Sequence, residues 1–209
     1  MRIEGYRRNA GAERGDCVLD FSEDITVYHG SYIAIPEIDL EECNYGLDFG
    51  RGFYVTTSFE QAVSFVPNSV KKNKRTGKIP EDFDVNDGQI SVYRLRCDNA
   101  LQFLFFPEAN LDWLHYIASN RDKSLFREYY DRFAKCDVVV GKIADDNTSR
   151  VLAGYVAGLF GTPGSELADS FAIQSLLPNR LKDQLCFKTE ASIRSLEFVR
   201  SCRYGDVAK

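Results

Sequence analysis

The segment DFGRGFYVTTSFEQAVSF, residues 48–65, constrains the fold more than any other part of the chain. Two glycines flank Arg51, and glycine permits either a positive φ or a close approach of the backbone to another group. Residues 53–57 have strand composition, because aromatic and β-branched side chains favour extended backbone. Ser58 then has the character of a helix N-cap, with Gln61 at the reciprocal position of a capping box. The sequence therefore predicts a glycine turn, a short strand and a helix over 58–66 in immediate succession.

Strand and helix patterns mix irregularly along the rest of the chain. Strands are predicted over 25–31, 89–97, 136–144 and 183–189, with a further apolar run at 100–106. Helices are predicted over 109–121, 148–160 and 166–177, and 191–205 has the pattern of a strand or a helix. The segments 33–48 and 67–88 are predicted to be loops, the second a polar solvent loop or flap. There is no regular βαβ alternation, which favours an α+β fold. We expect residues 1–24 to form an N-terminal extension and residues 25–209 a single domain.

Charge and cysteine usage exclude several classes of protein. The net charge of −5 argues against general nucleic-acid binding, which needs a basic face. The basic run 71–75 is more typical of a solvated loop than of a phosphate site. Six cysteines without a CxxC spacing, together with two histidines, form no zinc pattern, so no metal is expected. The chain shows no signal peptide and no membrane span, which favours free thiols and a cytoplasmic location.

The pair His29-Gly30 ends the first predicted strand. One interpretation is a buried structural histidine, since an isolated histidine is a weak signal. The other is a ligand site, in which the imidazole lies beside a backbone that a ligand can approach closely. The segment 50–65, which with His29-Gly30 is the predicted ligand pocket, has the same two interpretations. It is either a turn, core strand and capped helix, or an aromatic face of Tyr54 on which a flat ring stacks, with hydroxyls that bind an amide.

The motifs YHGS at 28–31 and DFGRGFYVTTSFEQA at 48–62 together resemble the catalytic core of the ADP-ribosyltransferase superfamily, in its poly-ADP-ribose polymerase and diphtheria-toxin branch. With VVVGKIADD at 138–146 and DQLCFKTE at 183–190, the chain is also similar to a bacterial group, the domain-of-unknown-function 3990 family. The resemblance covers about residues 25–198. It implies a split β-sandwich of mainly antiparallel strands with flanking helices, and NAD as the substrate.

The resemblance also implies the site. Nicotinamide would lie on Tyr54, and its carboxamide would pair with the backbone of Gly30 and a hydroxyl near Thr56 to Ser58. His29 would donate to the adenosine-side ribose, and Arg51 would contact the pyrophosphate or face solvent. The NAD-binding set implied in this way is His29, Gly30, Ser31, Arg51, Gly52, Phe53, Tyr54, Thr56 and Ser58.

The catalytic residues implied are His29, Tyr54 and Gln184. In the resembled enzymes a glutamate stands on the final core strand, whereas here Gln184 occupies the matching position. Glutamine hydrogen-bonds a ribose hydroxyl but brings no charge, which weakens electrostatic stabilisation of the cationic sugar by about a few kcal/mol. Glu190 is expected on the same face of an extended segment, too far along it to substitute for Gln184.

Asp145 and Asp146 follow a predicted strand. They are either the acidic first turn of a helix or groups that support the pocket or orient the acceptor.

Function follows from the resemblance as an expectation. The chain would be an NAD-dependent mono-ADP-ribosyltransferase, a bacterial toxin or effector that modifies an unknown macromolecular acceptor and has a small antitoxin protein as partner. The alternative is a module of the same fold that binds NAD or ADP-ribose with little or no turnover, which Gln184 favours. A third alternative is an unrelated α+β scaffold.

Overall fold

The computed structural model describes residues 24–43, 47–96, 100–142, 146–176 and 183–208, and for Asp146 and Asn147 the backbone only. The predicted extension 1–24 therefore lies outside the described residues except for Asp24. Seven strands are described: β1 (Ile25–Ser31), β2 (Phe53–Val55), β3 (Gln89–Leu95), β4 (Phe103–Phe106), β5 (Val138–Lys142), β6 (Asp183–Phe187) and β7 (Leu196–Arg203).

Within those ranges the strands form two sheets. The first has the order β1-β3-β7 and is antiparallel throughout. The second has the order β2-β6-β5-β4, with antiparallel pairs except for the parallel pair β4-β5. The fold is therefore α+β with mainly antiparallel sheets.

Seven helices are described in the same ranges: α1 (Phe59–Arg75), α2 (Leu111–Arg121), α3 (Arg127–Phe133), α4 (Asp146–Val156), α5 (Glu166–Ser175), α6 (Glu190–Ile193) and α7 (Tyr204–Val207). None of the helices in these ranges is long and apolar enough to cross a membrane.

Three apolar clusters order these elements into layers. The middle cluster joins Val27 and Tyr93 of the first sheet to Val55 and Leu185 of the second, so the two sheets pack face to face. A second cluster lies between the four-stranded sheet and helices α2 to α5, and a third lies between α1 and the three-stranded sheet. Helices thus pack on both outer faces of the sandwich and bury most apolar side chains of the strands, whereas much of β7 stays exposed.

The largest departure from the sequence prediction concerns α1. The segment 67–88 was predicted to be a loop, but residues 67–75 continue the helix through Pro67. The reason is the apolar stripe of Ala62, Val66 and Val70, which are buried on one side of the helix against the first sheet. That burial outweighs the backbone hydrogen bond that proline cannot donate.

Two further departures are local. The sequence did not predict α3. The extended segment predicted over 183–190 was also wrong beyond Phe187: Thr189 caps α6, and Glu190 is its first residue. A capping box between Thr189 and Ser192 stops the strand there, because both side chains bond the backbone of the helix start. Glu190 is exposed and does not share a strand face with Gln184.

Candidate functional site

Backbone hydrogen bonds join the two sheets at one position, between β1 and the residue that follows β2. Tyr28 and Thr56 form an isolated antiparallel bridge, with Tyr28 N donating to Thr56 O at 2.8 Å and Thr56 N donating to Tyr28 O at 2.9 Å. Among the described residues these are the only backbone hydrogen bonds between β1 and β2. Hydrogen-bonding groups alternate along a strand, so the N–H and C=O of Gly30 point to the same side as those of Tyr28. They point toward Tyr54 of β2, which does not pair with them, and this unpaired interval between Gly30 and Tyr54 is called the opening.

The side chain of His29 forms a hydrogen bond across this opening. Its Nδ1 lies 2.7 Å from the backbone oxygen of Tyr54, and since a carbonyl only accepts, Nδ1 carries the proton and donates. The ring also packs on Phe53, with 4.6 Å between ring centroids. Burial lowers the pKa of His29 below its ordinary value of 6.5. The ring is therefore neutral at pH 7, and Nε2 is its acceptor nitrogen.

Gly30 is required by the close approach of α1. A Cβ at this position would overlap the carbonyl oxygen of Ala62 and lie 3.3 Å from Cβ of Phe65. Phe65 is 39% exposed although it is a large apolar side chain. The residues of α1 that pack on Gly30 are therefore Ala62 and Phe65, and the ring of Phe65 is partly open to solvent.

Tyr54 holds the glycine turn that precedes its own strand. Its hydroxyl donates to Gly50 O at 2.7 Å and accepts from Phe49 N at 3.0 Å. Burial raises the pKa of the Tyr54 phenol well above its usual range, so the hydroxyl stays protonated. The ring lies nearly parallel to that of Phe49, with 6.4 Å between centroids. Gly50 has a φ of +83°, which glycine adopts without strain.

The hydroxyls of Thr56 and Ser58 serve the local backbone. Ser58 caps α1 as predicted, accepting from Gln61 N at 3.2 Å. The reciprocal bond of a capping box is absent, because Thr56 Oγ1 takes the Ser58 N–H at 3.1 Å. Thr56 Oγ1 also lies 3.1 Å from Gln61 Oε1 and 3.2 Å from Asp183 O. Since one hydroxyl donates only one proton, it serves these two acceptors in turn.

Gln184 lies on the same sheet face as Tyr54. Strand β6 pairs Cys186 with Tyr54, and side chains alternate along a strand, so Gln184 and Cys186 share that face. Gln184 is 6% exposed, and its Nε2 has no hydrogen-bond partner. Gly141 is its cross-strand neighbour on β5.

The remaining predicted residues serve packing or ion pairs. Gly52 lies against β6, because a Cβ there would collide with Cys186 and Phe187. Phe53 is buried between the sheets. Ser31 is buried with its hydroxyl 3.5 Å from that of Ser69 on α1.

Arg51 bonds Glu41 at 2.9 Å. It lines a small cleft of about 290 Å³ together with Lys188 and Glu190.

Asp145 lies outside the described residues, and Asp146 begins α4. A larger cleft of about 560 Å³ is bordered by the partly buried ion pair of Asp48 and Arg121, 2.6 Å apart, and by the α4 face containing Ser149. Neither cleft is lined by His29 or Gln184.

Sequence reasoning gave no ligand role to two residues that the structure places close to this region. Gln61 was interpreted only as a capping residue, although its side chain contacts Thr56 instead. Phe65 ended the predicted pocket segment, but the sequence did not indicate that its ring would be exposed. Gln61 follows the end of β2 by six residues, which could have indicated a position near the strand end. Only the packing of α1 on Gly30 shows where the side chains of Gln61 and Phe65 lie.

The fold and the opening define an α+β protein with two mainly antiparallel sheets, in which backbone pairing between β1 and β2 stops at one strand end beside a helix. The model of the family described as "Protein of unknown function (DUF3990)" matches residues 25–198. The chain belongs to this family. No curated protein and no solved structure matches it.

Proposed function

We propose that the opening between β1 and β2 binds NAD and that the chain is an NAD-dependent mono-ADP-ribosyltransferase of the split β-sandwich type. The observation that carries the proposal is the backbone of Gly30, whose N–H and C=O face the opening side by side. A primary carboxamide offers one acceptor and two donors. It can therefore pair with both groups of one residue, as nicotinamide requires.

The surroundings of Gly30 suit a flat aromatic amide. Phe65 presents an exposed ring, and aromatic rings stack in offset or edge-to-face arrangements at centroid distances of about 4.5–7 Å. His29 fixes Tyr54 O, which keeps β2 from closing on Gly30. Its Nε2 can then accept a hydrogen bond from a ribose hydroxyl. This is the reverse of the donor role expected from the sequence. Because Thr56 and Ser58 already bond the backbone, recognition of the carboxamide rests on Gly30.

The reaction breaks the bond between C1′ of the ribose and the nicotinamide nitrogen, and nicotinamide leaves with the electron pair. A new bond forms from C1′ to a nucleophilic atom of the acceptor, which loses its proton to solvent. The acceptor is a macromolecule, or water in its absence. Orientation of the ligand at Gly30 and electrostatics supply most of the rate enhancement.

A second candidate is a module that binds NAD or ADP-ribose without transfer. Gln184 favours it, because its neutral amide cannot stabilise the cationic sugar as a carboxylate would. Incubating the protein with NAD labelled in the adenine part separates the two. Release of nicotinamide with transfer of label supports the transferase, whereas saturable binding without release supports the module. No binding and no thermal shift with NAD would contradict both.

A toxin role, with a small antitoxin as partner, is part of the transferase proposal. Expression in a bacterium should inhibit growth, and His29→Ala or Tyr54→Ala should relieve the inhibition. Equal toxicity of the wild type and both variants would refute this role.

A further inference from the structure

Two buried glutamines present amide nitrogens without partners. Gln61 is 4% exposed and Gln184 is 6% exposed, and Nε2 of each is enclosed without a hydrogen bond. A buried donor without an acceptor is unfavourable, so each one in a folded protein calls for an explanation, and a bound molecule is one such explanation.

Thr56 links Gln61 of α1 to the end of the four-stranded sheet that carries Gln184. Thr56 follows Val55 on β2, so its side chain lies on the face shared by Tyr54, Cys186 and Gln184. The hydroxyl of Thr56 contacts both Gln61 Oε1 and the backbone oxygen of Asp183, the residue before Gln184. Gln61 is thereby held at the end of β6 that carries Gln184.

The polar groups known to adjoin the two glutamines already have hydrogen-bond or ion-pair partners. Gln61 Oε1 accepts from Thr56, and Thr56 Oγ1 accepts from Ser58 N. The carboxylate of Asp183 pairs with Lys142 at 3.1 Å. On β5 the residue opposite Gln184 is Gly141, which has no side chain to offer.

We infer that the amides of Gln61 and Gln184 together bind the hydroxyl oxygens of a ribose, and that Gln61 is a further ligand-binding residue. This inference rests on the proposed NAD site and assigns the nicotinamide ribose to it. Two neutral N–H₂ groups supply donors but no charge, which suits the adjacent hydroxyls of a sugar. Thr56 is a positioning residue: by holding Gln61 Oε1, it leaves the N–H₂ of Gln61 for the ligand.

Binding of nicotinamide, nicotinamide mononucleotide and NAD, measured by calorimetry on the full chain, tests the assignment. Gln61→Leu should weaken the mononucleotide and NAD about three- to tenfold, the effect of one lost neutral hydrogen bond. Free nicotinamide has no ribose, so its affinity should not change. Gln174→Leu, an exposed glutamine on α5, is the control and should bind all three probes like the wild type.

The melting temperature of the unliganded protein separates binding from support of the fold. Gln61→Leu should melt at or above the wild-type temperature, because it removes an unpaired buried amide. A lower melting temperature together with equal loss of affinity for nicotinamide and the mononucleotide would assign Gln61 to folding and overturn the inference. Unchanged affinity of Gln61→Leu for NAD would also overturn it while leaving the NAD site standing. Failure of the wild type to bind any probe would refute the NAD site and the inference together.

Discussion

Nδ1 of His29 donates a hydrogen bond to the backbone oxygen of Tyr54 at 2.7 Å. Tyr54 is the residue that would pair with Gly30 if the strands continued in register. Continuing the Tyr28–Thr56 bridge by two residues would pair Gly30 with Tyr54. The imidazole replaces that strand pairing by a side-chain bond. Tyr54 O therefore bonds a side chain, and the backbone of Gly30 is left without this strand partner.

Stability should depend on pH through His29. Burial lowers its pKa in the folded chain, so below about 6.5 the unfolded chain binds the proton more readily than the folded one. The free energy of unfolding should therefore fall as the pH drops through this range. Urea unfolding at pH 7.5 and pH 5.5 measures the difference, which should shrink in His29→Gln because an amide donates without titrating. The same pH dependence in that variant would assign the effect to other groups.

Gly30→Ala should destabilise the protein by about 1–3 kcal/mol, because the new methyl group overlaps the backbone of Ala62. Gly77→Ala is a suitable control. Its Cβ would meet no atom within 4 Å, and only its positive φ of 70° is unfavourable, by about 1–2 kcal/mol. Chemical denaturation gives both values. NAD binding should be lost in Gly30→Ala and kept in Gly77→Ala, and loss in both would argue against a specific role of Gly30.

Gln184→Glu should raise the rate of nicotinamide release about tenfold or more, if the chain transfers ADP-ribose, because a carboxylate stabilises the positive sugar. The unliganded variant should at the same time be less stable, since a buried charge without a partner is costly. Release of nicotinamide is followed under saturating NAD, with Gln184→Leu as the uncharged comparison. If Glu and Leu gave the same rate, Gln184 would not lie beside the reacting carbon.

Asp169 should be the most sensitive polar residue of the helical layer. It is 5% exposed, accepts from the Tyr155 hydroxyl and from Gly164 N, and lies 2.9 Å from His115 Nε2. Asp169→Ala leaves these groups without their acceptor and should cost about 2–4 kcal/mol. Glu166→Ala, an exposed acid of the same helix, should cost less than about 1 kcal/mol. Equal losses in denaturant unfolding would show that the buried network contributes little.

Pro67→Ala should stabilise the protein by about 1–3 kcal/mol, because alanine restores the backbone donor and removes the ring from the interior of α1. Thermal unfolding measures the gain, and hydrogen exchange should show stronger protection of the amides in residues 66–75. A loss of stability on this substitution would place residues 67–75 in a non-helical conformation, as the sequence alone had predicted.

Sequence patterns were sufficient for the elements whose signal is local. The glycine turn, strand and cap over 50–58 were predicted correctly because positive φ, strand composition and Ser58 act within a few residues. The α+β class followed from the order of the elements, and helices were predicted where α2 and α5 lie. The predicted apolar face of α2 was wrong at Leu111, which is 48% exposed. Where a helix ends depends on burial at a distance, which is why α1 was predicted too short and β6 too long.

The sequence by itself predicted the strand that contains His29-Gly30, and the position of Gln184 opposite a family glutamate stays a prediction from the resemblance. Only the tertiary structure decided that His29 bonds Tyr54 O, that α1 packs on Gly30, and that Thr56 contacts both Gln61 and the backbone of Asp183. The bonds of His29 to Tyr54 and of Thr56 to Asp183 join residues 25 and 127 positions apart. Distance along the chain carries no information about such contacts, because sheet pairing and helix packing create them.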